Sequence, residues 1–210
     1  PASLLYGSDA MGGVLYLNPE KYAANNKTEL AVNQVVNSNT QGINTSVTFK
    51  NSVDKFKFLV QNNYASHADY KLPNGERVMN TRFMEKDFKL GTSYVTSRYT
   101  ADFRYNFNDL NLGLPEENLE NIGFRTPLFP SQEVKNHLLS FSQKLYFKNS
   151  KLEATAGYVF NDRKELESQD ETALFMKLKT FNYNARYYLP DFGKFETIIG
   201  FKGMNQENRN

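Results

Sequence analysis

The chain of 210 residues has no cysteine, no tryptophan and only two histidines. The lack of cysteine excludes a disulfide-stapled domain and thiolate chemistry. His67 and His137 lie far apart in sequence and do not have the spacing of a metal site. The sequence also contains no stretch of about 18 apolar residues, so it predicts no transmembrane helix. Strands that alternate apolar and polar residues never produce such a stretch. The lack of one therefore does not exclude a membrane protein built from strands.

An excess of charge of one sign is also missing. The 25 basic and 23 acidic residues are well mixed and give a net charge of +2. A nucleic-acid-binding protein usually carries a clustered basic face, so no nucleic-acid partner is expected. No spacing of Ser, His and Asp indicates a nucleophilic active site, and we expect that the chain is not an enzyme. The sequence predicts no cofactor and no metal site.

Aromatic side chains are abundant. The 17 Phe and 13 Tyr residues make up 14% of the chain, yet the mean hydropathy is only −0.62. This combination is typical of strands that have one apolar and one polar face. The clearest example is 99–108, where Tyr, Ala or Phe stands at every second position and the residues between them are polar. A helix would scatter these aromatic residues around its circumference, so the sequence predicts an all-β protein.

The alternating segments predict nine strands in an antiparallel up-and-down meander. Their expected bounds are 28–36, 43–50, 55–67, 86–96, 99–108, 134–147, 151–162, 172–189 and 194 to the end. In the eighth strand the alternation changes near Lys179, which predicts a β-bulge there. In the long connection after the fifth strand, 115–119 is expected to form a single helical turn.

The connections between these strands differ in length. Tight turns follow the second, fourth, sixth and eighth strands, whereas the third and fifth strands lead into long loops at 69–83 and 109–133. Phe and Tyr residues flank each tight turn. Tight turns at one rim, long loops at the other and an aromatic girdle are typical of a transmembrane β-barrel. A soluble β-sandwich is the alternative, because its strands alternate as well.

The first 17 residues differ in composition from the rest of the chain. A glycine-rich bend runs into a short apolar strand and not into a helix, which disfavours a phosphate-binding loop. The segment 5–15, LYGSDAMGGVL, resembles the closing plug motif of the TonB-dependent outer-membrane receptors, and it stands just before long amphipathic strands as in that family. The motif residues, with a structural role in the bend, are Tyr6, Gly7, Ser8, Asp9, Gly12 and Gly13.

The resemblance implies a barrel of about 22 strands in the bacterial outer membrane, with a globular plug in its lumen. Residues 1–20 would be the end of the plug domain, 21–27 a connector and 28–210 the first part of the barrel, so the chain would be a fragment. The implied function is energy-coupled import of an iron chelate, haem, cobalamin or similar nutrient. Its partners would be outer-membrane lipid, the small nutrient and the TonB complex, the last through an N-terminal region beyond this sequence. The composition, rich in Asn and Tyr, resembles that of receptors from Bacteroidetes-type bacteria.

Two groups of residues are candidates for function. Arg and Tyr side chains near the long loops suit the capture of an anionic ligand by charge and stacking. These candidate ligand contacts are His67, Tyr70, Arg77, Arg82 and Arg125, and an ordinary polar loop is the alternative. Charged residues on polar strand faces would line the lumen and form ion pairs, or would belong to a solvated surface. The candidates for lumen lining are Asp102, Arg104, Glu153 and Arg186, together with Lys177 and Lys179.

Overall fold

The computed structural model describes residues 18–115, 125–191, 193 and 195–209. These residues form one open sheet of nine β-strands, in which each strand pairs antiparallel with the next along the chain. The strands are β1 (Thr28–Asn37), β2 (Gly42–Val53), β3 (Phe56–His67), β4 (Phe83–Val95), β5 (Tyr99–Gly113), β6 (Ser131–Tyr146), β7 (Lys151–Leu166), β8 (Thr172–Tyr188) and β9 (Ile198–Arg209). The predicted all-β antiparallel meander is confirmed.

Two predictions lie outside the described residues. One is the plug motif, Tyr6, Gly7, Ser8, Asp9, Gly12 and Gly13, and the other is the helical turn after Pro115. Within the described part of the chain, no helix has the length and apolar character needed to span a bilayer.

Several strands extend further toward the long loops than their alternation indicated. β4 begins at Phe83, β5 continues to Gly113 and β6 begins at Ser131. The expected bulge near Lys179 is wrong, because β7 and β8 pair without a break up to Glu165, and the irregularity in their register follows that residue. The alternation near Lys179 changes because one face of β8 passes from aromatic to charged side chains, not because the strand shifts.

The two faces of the sheet differ in polarity. Residues that pair across antiparallel strands lie on the same face, so the register groups Tyr99, Phe103 and Phe107 with most of the large apolar side chains of the other strands. We call this side the apolar face. Many of its large side chains are solvent-exposed, among them Val36, Phe49, Phe58, Val60, Leu139, Phe141, Phe181, Tyr183 and Phe201.

The apolar face is not covered by another layer of the described chain. Buried apolar residues among those described are limited to Ala23, Leu59 and Ala68. A β-sandwich needs two sheets that bury their inner faces against each other. The described residues form a single sheet and do not have this architecture.

The sheet has two distinct rims. The turn rim carries the tight turns after β2, β4, β6 and β8, and the loop rim carries the connections after β1, β3, β5 and β7. Aromatic rings contact one another along the turn rim: Phe56 and Tyr94 have centroids 5.0 Å apart, and Tyr94 and Tyr99 have centroids 6.4 Å apart. Phe147 and Tyr187 form a similar contact further along. Phe and Tyr residues beside the tight turns thus contact one another across neighbouring strands.

Candidate functional site

The opposite side of the sheet, which we call the polar face, carries Asp102 and Arg104 of β5. The described segment before β1, residues 18–27, lies against this face; it contains the expected connector 21–27 and the three residues before it, and is called the connector from here on. Ser52 Oγ donates a hydrogen bond to the Ala23 carbonyl at 2.8 Å, and both residues are buried. Lys50 Nζ pairs with Glu20 at 2.9 Å. The connector is therefore held to β2 by buried backbone contacts and by charge.

Tyr22 fixes the same connector to β4 and β5. Its ring lies under the Arg104 guanidinium, 4.7 Å from the centroid, while Arg104 Nη1 donates to the Glu20 carbonyl at 2.9 Å. Arg104 Nε also pairs with Asp102 at 2.8 Å. Burial, followed by the neighbouring Asp102 carboxylate, raises the pKa of Tyr22 well above its usual range. Tyr22 thus stays neutral and acts as an aromatic anchor beneath Arg104.

Gly91 provides the space that Tyr22 occupies. A Cβ at Gly91 would lie 3.0 Å from the Tyr22 hydroxyl and 3.2 Å from the ring. We expect Gly91→Val to displace the ring and lower the opening free energy of the connector by about 1–3 kcal/mol, the usual cost of overpacking. Hydrogen exchange at 20–27 measures this. Thr92→Val, on the opposite face of β4, is the control, and equal exchange in both variants would contradict the anchoring role of Tyr22.

A ladder of amide side chains crosses the polar face nearer the loop rim. Asn161 Nδ2 donates to Asn136 Oδ1 at 2.5 Å, and Asn136 Nδ2 donates to Asn108 Oδ1 at 3.1 Å. Asn108 Nδ2 then donates to Glu85 at 2.7 Å and Asp87 at 2.8 Å. The ladder joins four strands and ends on two carboxylates. Hydrogen bonds between side chains therefore run across this part of the polar face.

The four residues predicted to line a lumen, Asp102, Arg104, Glu153 and Arg186, do share the polar face. Asp102 pairs with Arg104, and Glu153 stands opposite Arg186 in register. Glu153 also pairs with Lys151 at 2.9 Å. Whether this face encloses a lumen stays a prediction.

The placement of Lys177 and Lys179 on the polar face is wrong. Lys179 pairs with Phe160 across the strands and lies on the apolar face, as does Lys177. Their charge suggested the polar face, but the unbroken register of β7 and β8 places both positions on the other side.

The loop after β3 is held by a buried ion pair. Arg82 Nη2 and Asp69 Oδ2 are 2.5 Å apart, and their side chains are 1% and 4% exposed. The Arg82 Nε and backbone N–H groups also donate to Asp69, and Arg77 donates to the Asp69 carbonyl. Burial opposes ionisation of Asp69, but the Arg82 hydrogen bonds and charge outweigh it and lower its pKa. Arg82 and Arg77 therefore stabilise the loop itself.

Asn80 joins the two long loops. It is fully buried, and its Nδ2 lies within hydrogen-bonding distance of the carbonyls of Leu114, Leu128 and Pro130. Its Oδ1 accepts from the Leu128 N–H at 2.8 Å. Asn80 also has a positive φ of 61°, which Asn tolerates better than most residues. No local sequence pattern pointed to Asn80, because its partners belong to a distant loop.

His67 and Arg125 connect the same loops to the turn after β1. His67 stacks on Phe83 at 4.6 Å and its Nδ1 lies 2.7 Å from the Thr40 hydroxyl. Arg125 Nη1 donates to the Ser66 carbonyl at 3.0 Å. All these contacts are within the protein. A role in ligand binding stays a prediction for His67 and Arg125, as it does for Arg77 and Arg82.

Tyr70 is placed differently from the other four candidate ligand contacts. Its side chain is 42% exposed on the loop rim, so it is accessible from solvent. The other four make the contacts described above and hold the loops around it. A ligand-binding role for Tyr70 also stays a prediction.

The described residues contain no group of three or more His, Asp or Glu side chains that could hold a metal ion. The candidate site comprises the polar face, the connector packed on it and the interlocked loops at the loop rim. In comparisons with known proteins, no family model, no curated protein and no solved structure matches the chain.

Proposed function

We propose that this chain is part of a TonB-dependent outer-membrane receptor that imports a small nutrient such as an iron chelate, haem or cobalamin. The observation that carries the proposal is the uncovered apolar face, where side chains such as Phe141 and Phe201 are 40% and 67% exposed. Exposed apolar areas of this extent mark a surface that contacts lipid or a partner. In the proposed protein this face contacts the hydrocarbon of the bilayer.

The height of the apolar face supports the proposal. On β5 its apolar stretch runs from Tyr99 to Phe107, and the next residue on that face is Asp109. This is nine residues of strand, and a tilted transmembrane strand needs about 9–11. The stretch begins at the turn rim, where Tyr94 contacts Tyr99. An aromatic girdle at the start of an apolar band is typical of a membrane–water interface.

The polar face supports an occupied interior. The connector packs there and not on the apolar face, through Tyr22 under Arg104 and Ala23 against Ser52. In the proposed receptor a plug domain would lead into this connector from inside the barrel. The amide ladder would then line the part of the interior that the plug does not fill. The interlocked loops around Tyr70 would receive the ligand from outside.

Single cysteines introduced into this cysteine-free chain test the proposal. We expect Leu139→Cys and Phe141→Cys to resist a charged maleimide in intact membranes and to react with it once the protein is unfolded in denaturant, because the reaction needs a hydrated thiolate. Ser140→Cys and Ser142→Cys, on the other face of β6, are the matched controls and should react with an aqueous reagent small enough to enter the interior.

A protein of different architecture would give another result. If the chain folded as a soluble adhesion or carbohydrate-binding domain, it would stay monodisperse without detergent, and the charged maleimide would label Phe141→Cys as fast as Ser142→Cys. Either outcome would overturn the proposal. Import itself is checked by uptake of labelled nutrient in cells with and without an energised TonB complex.

A further inference from the structure

A row of charged side chains crosses the apolar face at its loop-rim boundary. Each strand from β4 to β9 contributes one residue, and each residue pairs in register with the next. In strand order the row is Lys86, Asp109, Lys135, Asp162, Lys177 and Arg209. Charged residues on the lipid-facing side of a strand are costly near the bilayer centre and tolerated close to the interface.

The position of the row matches such an interface. On β5 the aromatic contact at Tyr99 marks one end of the apolar stretch and Asp109 follows its other end at Phe107. On β6 the stretch lies between Leu145 and Lys135 in the same way. If hydrocarbon covers the apolar stretch, the charged row lies level with the lipid headgroups beside the long loops.

The charges along this boundary are not evenly balanced. Near β4–β6 a cleft of about 170 Å³ is lined by Lys86, Asp109, Glu133 and Lys135, two of each sign. At β8–β9 a cleft of about 220 Å³ is lined by three basic residues, Lys177, Lys179 and Arg209, with Glu207 and Phe160. Glu207 is paired with Arg209 at 2.6 Å. Asp162 stands opposite Lys177 in register, so three basic and two acidic residues leave this second cleft, the basic cleft, with a net positive charge.

Aromatic rings border the basic cleft on both sides. Lys177 Nζ lies 4.7 Å from the centroid of Phe175, toward the loop rim, while Phe160 lines the cleft itself and Phe181 follows Lys179 on the same face. A molecule bound here would meet ammonium and guanidinium groups at one end and the apolar band at the other. The cleft thus has basic groups that complement an anionic headgroup and, next to them, apolar side chains that complement acyl chains.

We propose that the basic cleft binds the phosphate group of a lipid in the leaflet beside the long loops. Lys177 and Lys179 supply point charges and Arg209 supplies a planar fork of donors, both of which suit phosphate oxygens. The acyl chains of that lipid continue along Phe181 and the apolar band below it. The inference rests on the proposed function, since it needs the apolar face to lie in a bilayer.

Native mass spectrometry of the purified full protein in detergent tests the basic cleft, with phosphatidic acid and phosphatidylcholine as probes. We expect the first phosphatidic acid to bind at least about fivefold more tightly than phosphatidylcholine, since each cation near a membrane surface contributes about that factor. Lys177→Gln/Lys179→Gln/Arg209→Gln should abolish this preference. Lys57→Gln/Lys89→Gln/Lys202→Gln removes the same charge from the polar face and should retain it.

Three results would overturn the inference: no preference in the unaltered protein, equal loss in both triple variants, or displacement of phosphatidic acid by millimolar inorganic phosphate. The last result would identify a site for free phosphate. The cysteine labelling described above separates this failure from failure of the proposed function. A protein whose Phe141→Cys is shielded by lipid but whose basic cleft has no preference would contradict only the lipid site.

Discussion

Arg82→Ala is expected to lower the opening free energy of the loop rim by about 3–5 kcal/mol, because it leaves the Asp69 carboxylate buried without its cation. The two side chains are almost completely buried. Amide hydrogen exchange at 69–82 measures the change, and we expect it to accelerate by about two to four orders of magnitude. Amides in the middle of β6 and β7 provide an internal reference, because the substitution lies far from them in the sheet.

Arg98→Ala is the matched control for this effect. Arg98 is an exposed arginine in the tight turn after β4, at the opposite rim. Its removal should leave exchange at 69–82 unchanged. If Arg82→Ala and Arg98→Ala behaved alike, the ion pair with Asp69 would not stabilise the loop.

Acid should reproduce part of the Arg82→Ala effect. The pKa of Asp69 is lowered in the folded protein, so its contribution to stability is complete above the ordinary carboxyl pKa of about 4. That contribution is lost as the pH falls through the lowered value. Protection at 69–82 should therefore fall in strong acid in the unaltered protein. In Asp69→Asn, which cannot titrate, the acid-dependent step should disappear.

The strands were predictable because their signal is local. In β5 each aromatic residue is followed by a polar one, and burial of only one face produces this period of two whatever lies elsewhere in the chain. The aromatic residues beside the tight turns were visible for the same reason. The alternation weakens toward the loop rim, where charged residues such as Lys86 and Asp109 occupy the otherwise apolar face. Strand ends there could not be found by periodicity.

The contacts of the candidate site join residues that are far apart in sequence, and no local pattern predicts such contacts. Asn80 reaches backbone groups at Leu114 and Pro130, 34 and 50 residues further along the chain. Arg104 reaches back 84 residues to Glu20. Composition marked Arg82 as a charged loop residue, and its chemistry alone suggested a ligand contact. Only the fold reveals that Arg82 forms a buried ion pair with Asp69.

Phe141→Arg is expected to destabilise the folded protein in lipid by about 2–4 kcal/mol, the cost of an arginine on the lipid-facing side near the bilayer centre. Phe141 lies midway along the apolar stretch of β6, between His137 and Leu145. Urea unfolding of the protein in vesicles measures the change. Phe141→Ala separates the loss of the ring from the added charge. Ser140→Arg, one residue away on the polar face, should cost much less.

The same substitution would have almost no effect on stability if the apolar face contacted water. Phe141 is 40% exposed in the described sheet, and arginine at an exposed position of a soluble protein would leave stability within about 0.5 kcal/mol and reduce aggregation. A membrane strand loses stability because lipid cannot hydrate the guanidinium. The difference in unfolding free energy between Phe141→Arg and Ser140→Arg therefore shows whether the two faces of the sheet contact different solvents. Equal unfolding free energies for these two variants in vesicles would mean that the apolar face does not contact lipid.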